Sequence, residues 1–138
     1  MRPIEFRAWD KDTETMFIPE YISGDGKVYE DIGVSFQQEL SERKNVILLQ
    51  FTGLKDRSGR EIYEGDIVDY FEEVGAEKGE EKETVAEVKF GDGGFFIDGY
   101  RMFKDVKGYM ANFIGPKWDK VKVIGNIYQN PELLEDQK

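Results

Sequence analysis

The sequence predicts a mostly β protein: antiparallel strands, a small SH3-like barrel-type lobe and a short C-terminal helix. Three observations carry that expectation. Apolar and polar residues alternate with period two near both ends, as in Ile4-Glu5-Phe6-Arg7-Ala8 and Lys120-Val121-Lys122-Val123, the spacing of a half-buried strand. Glycine-rich corners such as Gly24-Asp25-Gly26, Gly65-Asp66 and Gly91-Asp92-Gly93-Gly94 separate the runs, where the backbone must reverse. Asn130-Pro131-Glu132 places an N-cap residue, a proline at the first helical position and an acid in the first turn of a closing helix.

Along the chain, Ile4 to Trp9 is a strand, Asp10 to Thr13 a turn, and Thr15 to Ile18 the returning strand. Tyr21-Ile22-Ser23 and Lys27-Val28-Tyr29 flank a short hairpin. Phe36 to Lys44 reads as a helical turn or two, and Asn45 to Thr52 is apolar and β-branched enough for a buried strand. Asp56 and Gly59 suit the first and fourth corners of a type I turn, because glycine freely takes positive φ after it. Gly65 and Asp66 form a second corner before the strand Ile67–Phe71. Ala86, Val88 and Phe90 alternate with Val85, Glu87 and Lys89, and Phe95 to Asp98 runs back.

The 138 residues suit one domain, with a lobe of residues 1–50 beside a barrel-like lobe of 51–138. Hydrophobic residues are 39% and aromatics 14%, enough for a core. The charge of −10 repels phosphate backbones and anionic lipid on average. Residues 72–83 hold six acids and two lysines, and like-charge repulsion makes them a mobile acidic loop. No run approaches the roughly 20 apolar residues of a membrane helix, and the first residues lack the apolar core of a signal peptide. A cytoplasmic protein without membrane partners is expected.

Much chemistry is excluded by composition. With no His and no Cys, Ser–His and Cys–His nucleophiles, disulfides and thiolate-bound metals cannot be assembled. No phosphate-cradling glycine motif precedes a helix. Asp10-Lys11-Asp12-Thr13-Glu14 begins like a calcium loop, but Thr15 stands where glycine is needed and Tyr21 where the bidentate Glu belongs. No metal, cofactor or catalytic residue is expected, and a carboxylate-based hydrolase is the third reading.

Binding is the expected mode of action. An acidic surface suits a protein partner, and strands such as Ile4–Trp9 could pair between copies at an open edge, giving a homo-oligomer. The alternative is a nucleic-acid-associated module. Lys89, Phe96, Tyr100, Arg101, Lys104, Lys107 and Tyr109 interleave cations with rings that could stack bases. The opposing role for the rings of residues 90–113 is to fill the core.

Three blocks resemble one known family: Phe6-Arg7-Ala8-Trp9-Asp10, Phe51 to Val68, and Val123-Ile124-Gly125-Asn126-Ile127-Tyr128-Gln129-Asn130-Pro131-Glu132-Leu133-Leu134. In this order they resemble the YopX family of small phage and prophage proteins, chiefly from Gram-positive hosts. Residues 19–45 and 72–117 match it only loosely. The resemblance implies a mostly β fold and a phage or prophage origin, and it supplies no catalytic residue. Asp56, Gly59, Gly65, Asp66, Gly125, Asn130 and Pro131 are read as structural corners within these blocks.

Overall fold

A computed structural model describes residues 5–73, 81–91, 94–97, 100–101 and 116–135, with the backbone path alone at 72–73, 81, 100–101 and 116–120. The described elements are β1 (Phe6–Asp10), β2 (Thr15–Phe17), β3 (Tyr21–Ile22), β4 (Val28–Asp31), β5 (Leu40–Glu42), β6 (Val46–Lys55), β7 (Glu61–Tyr63), β8 (Asp66–Glu73), β9 (Glu81–Gly91), β10 (Gly94–Ile97), β11 (Tyr100–Arg101), β12 (Pro116–Asn126) and α1 (Glu132–Glu135). All pairings are antiparallel. The fold is mostly β with a curled half-barrel sheet and one short C-terminal helix, as the period-two pattern predicts. The chain forms two compact units, Ile4–Gln50 and a second built from Phe51 onward.

In the first unit β1 pairs β2 on one side and residues 46–50 of β6 on the other. β3, β4 and β5 form a separate three-stranded sheet. Ala8 and Trp9 of β1, Val28 of β4 and Leu49 of β6 supply the buried apolar side chains of the unit among the described residues. Asp10 closes the β1–β2 turn by accepting from the N–H groups of Asp12 (2.8 Å) and Thr13 (3.1 Å). Its other oxygen accepts from Arg43 Nη2 at 2.8 Å, and the Arg43 guanidinium lies 3.7 Å over the Phe17 ring. The Thr13 N–H acts most strongly, and with Arg43 it holds the Asp10 carboxyl below its ordinary pKa.

The second unit carries the larger core. Its five-stranded sheet runs β11-β10-β9-β8-β12. Inward positions at every second residue, Val68 and Tyr70, Ala86 and Val88, Phe95 and Ile97, Val121 and Val123, join Leu54 and Ile62 in one buried cluster. Gly59 closes the β6–β7 turn with its N–H on the Asp56 carbonyl at 3.0 Å. Its φ of 87° is one a side chain would strain.

Three local expectations are corrected. Phe36 to Lys44 contains no helix. Ser35 sits at φ 58°, which stops a right-handed helix, and Leu40–Glu42 pairs with Tyr29–Asp31 as a strand. The acidic stretch 72–83 is shorter than a loop of that length, since Glu72–Glu73 and Glu81–Glu83 are strand residues. There the register aligns Glu72 with Lys82 and Glu73 with Glu81. Residues 74–80 lie outside the described residues. β1 pairs β6 along Phe6–Asp10 and β2 at Ala8–Asp10, so the Ala8–Asp10 part of the expected pairing edge is taken up within the chain, and Ile4 lies outside the described residues.

Candidate functional site

The binding residues read from the sequence are only partly united. Register aligns Lys89 with Phe96 and Phe96 with Arg101, so β9, β10 and β11 carry the three positions in one cross-strand row. Lys89 is exposed and Phe96 half-buried. Tyr100 stands opposite Ile97, one residue out of that row and therefore at the other face's register. Lys104, Lys107 and Tyr109 lie outside the described residues. Phe95 is core, with Phe90 54% exposed against it at 5.1 Å between ring centres.

The corner residues act as structural ties. The Asp56 carboxylate accepts from Ser58 N (2.9 Å), Ser58 Oγ (2.8 Å) and Arg60 N (2.9 Å), and its second oxygen accepts from Val123 N at 2.9 Å. Burial alone would raise its pKa; the four donors outweigh that and leave it lowered. Asp66 accepts from Tyr63 N at 2.8 Å, and the Gly65 N–H bonds the Val88 carbonyl. The Asn130 side chain, expected to cap the helix, instead accepts from Asn126 N at 3.3 Å. A Cβ at Gly125 would lie 2.5 Å from Asn130 Oδ1. Pro131 follows as an exposed residue, and its carbonyl accepts the Leu134 N–H.

One convergence of acids occurs on β8 and β9. Burial, and then a hydrogen bond and repulsion from Glu83, push the Asp69 carboxyl up to about 6, against the opposing attraction of Arg57 and Lys122. Lys122 is the register partner of Asp69 on β12. No group of three or more acids able to hold a metal occurs among the described residues.

The sequence reading missed the most exposed apolar feature. Ile18, Tyr21, Ile22, Ile32, Val34, Phe36 and Leu40 all face solvent, and Phe36 is 105% exposed. Ile32, Val34 and Phe36 project from a loop held at both ends. The Asp31 carboxylate accepts from Glu39 N (3.0 Å) and Gly33 N (2.9 Å), which lowers its pKa. Ile32 N bonds the Glu39 carbonyl at 2.8 Å and Gln37 N the Val34 carbonyl at 3.2 Å. A Cβ at Gly33 would fall 1.8 Å from the Gln37 carbonyl oxygen, so the closure requires glycine. Gln38 Nε2 donates to Tyr21 Oη at 2.9 Å and ties the loop to β3.

Leaving one phenylalanine in water forgoes about 1.5–3 kcal/mol of burial. A loop clamped into that conformation would lose little further freedom if an apolar surface covered it. The available sequence signal was the uncharged run Ile32–Gln38 between Asp31 and Glu39. A cleft of about 270 Å³ beside β4 is less suited to a ligand, because two of its lining cations are paired. Lys27 meets Asp25 and Glu42, and Arg43 meets Asp10.

No helix among the described residues is long and apolar enough to cross a membrane. In comparison with known proteins, the YopX protein family matches residues 5–135. Over 142 aligned positions the chain is 31% identical to the SPbeta prophage-derived uncharacterized protein YopX of Bacillus subtilis (strain 168), covering 96% of this chain and 97% of that protein. Among solved structures it is similar to protein EF1440 from Enterococcus faecalis and to protein yopX from Bacillus subtilis. Each is 27% identical with a TM-score of 0.58, over 97% of this chain and 99% of the other.

Proposed function

The chain belongs to the YopX protein family, and from that premise we propose that it is a non-enzymatic interaction protein of a phage or prophage, working in the bacterial cytoplasm. The observation that carries the reading is the clamped loop Ile32–Glu39, which holds Phe36 wholly in water. Chemistry gains no comparable support. The acids that converge, Asp69 and Glu83, have the cations Arg57 and Lys122 beside them, and the chain has neither imidazole nor thiol to move a proton or attack a carbonyl. The test is a photoreactive phenylalanine analogue at position 36, irradiated in bacterial cells, with position 89 as the comparison. A protein adduct specific to position 36 supports the reading. Absence of any adduct there, together with turnover of ester or phosphodiester substrates, refutes it.

A second reading rests on the Lys89, Phe96 and Arg101 row. A single strand of nucleic acid could lie across it, bases against the ring and phosphates against the cations. Anisotropy of a labelled oligothymidylate decides it: binding must fall steeply with salt and on Lys89→Ala. Lack of binding at low salt removes this reading.

A further inference from the structure

We infer that the loop Ile32–Glu39, with Tyr21 and Leu40 beside it, is covered by a second copy of this chain. The inference rests on the proposed interaction role and names its occupant. In the unit Ile4–Gln50, seven large apolar side chains are exposed while Ala8, Trp9, Val28 and Leu49 are the buried apolar ones among the described residues. A unit of this size without disulfides or metal has little core to spare, and oligomerisation is a usual remedy.

Area points the same way. At roughly 200 Å² for a fully exposed large side chain, the exposed parts of Tyr21, Ile32, Val34, Phe36 and Leu40 come to on the order of 630 Å² of apolar surface. One partner of a standard interface contributes about 800 Å², and the largest apolar patch of a typical monomer is about 300–600 Å². The patch is also continuous where it matters. Gln38 bonds Tyr21, while the register of β3, β4 and β5 places Tyr21, Tyr29 and Leu40 on one face.

Charge discriminates between occupants. Ile32 to Gln38 carries no charged residue, as suits the centre of a homomeric contact. Around it, residues 18–42 hold six acids and one lysine, and that Lys27 is paired with Asp25 and Glu42. Two copies therefore meet through neutral apolar centres with like-charged rims. Screening relieves the repulsion between rims, so salt strengthens self-association; a basic partner would bind less tightly as salt rises.

Sedimentation velocity of the purified full chain tests this. From micromolar to sub-millimolar protein, the wild type should move from its 16.0 kDa mass to a species at least twice as heavy. Raising NaCl from about 0.1 to about 1 M, which shortens the screening length from ~10 to ~3 Å, should lower the dissociation constant. Phe36→Asp and, separately, Val34→Asp should raise it at least about tenfold, or roughly 1.4 kcal/mol, with the far-ultraviolet spectrum unchanged. Lys55→Glu, at an exposed position of the other unit, should leave it unaltered.

A wild type that stays at 16.0 kDa throughout overturns the inference. So does association that persists in both variants or weakens with salt. If the chain is monomeric while position 36 still photo-cross-links another protein, the occupant is wrong and the interaction role stands. If it is monomeric and no adduct forms, both fall.

Discussion

Asp56→Ala removes one carboxylate from the turn between β6 and β7 and strips four donors of their acceptor. The costs are unequal. The Ser58 and Arg60 donors lie on an exposed turn and regain water, so their loss resembles that of a helix cap, about 1 kcal/mol. The N–H of Val123 is inside the sheet, where water does not reach, and an orphaned buried donor costs about 1–3 kcal/mol. The sum is about 3 kcal/mol. With a urea slope near 2 kcal/mol/M, that moves the unfolding midpoint down by roughly 1.5 M.

Amide exchange locates the damage, because Val123 N should lose protection before Val68 or Val88 does. Asp56→Asn keeps an acceptor oxygen but turns an amide donor toward one of the N–H groups, and should cost about half as much. The effect has a defined pH sign. The folded carboxyl is lowered below 3.8, so its stabilisation is present above the unfolded pKa and disappears as pH falls through the folded value. A midpoint shift under about 0.5 M, equivalent to ~1 kcal/mol, or uniform loss of protection across the sheet, would refute the assignment of Asp56 as the tie to β12.

Further outcomes follow from the same geometry. Asp69, with its carboxyl raised to about 6, contributes stability that is present below pH 3.8 and lost as pH rises to about 6. Asp69→Asn should therefore flatten the stability profile across that interval and raise the melting temperature at pH 8, read by calorimetry. Carbon-13 titration of the wild-type protein should show the Asp69 carboxyl titrating well above its ordinary value. Gly125→Ala should destabilise by about 1–2 kcal/mol through contact with Asn130. Adding Asn130→Ala should recover part of that loss, so a strictly additive double-mutant cycle would exclude the contact as its cause. Gly33→Ala should displace the loop from the Gln37 carbonyl and abolish the concentration-dependent mass increase while leaving the Phe51-onward unit folded, as proton spectra would report.

The large unit was legible because its signals are local. Val121 and Val123 alternate with Lys120 and Lys122, so one face of β12 was visible in the sequence, and Val68 and Tyr70 likewise marked β8. Asp56 and Gly59 announced a turn; that the same carboxylate also reaches Val123 was not readable, because the bond spans 67 positions. Residues 32–42 misled for a related reason. Phe36, Leu40 and their spacing imitate a helical stripe, while the opposing information lies in Asp31 and Gly33, whose meaning emerges once the chain closes on Glu39 and Gln37. Carboxylate convergence at Asp69 and Glu83 escaped notice because it depends on register between strands. The cationic and aromatic positions formed a row at Lys89, Phe96 and Arg101 because their strands are adjacent, which spacing alone does not specify.

The register of β12 has a consequence for biosynthesis. It lies against β8, yet Pro116–Asn126 leaves the ribosome only after the whole of Asp66–Gly91 has done so. Until then the nascent hairpin of β8 and β9 presents a naked flank of unmatched amides and carbonyls, the kind of surface on which incomplete chains aggregate. Premature termination before residue 116 should consequently yield sticky fragments, and slow decoding between β9 and β12 would prolong the interval in which a chaperone is needed.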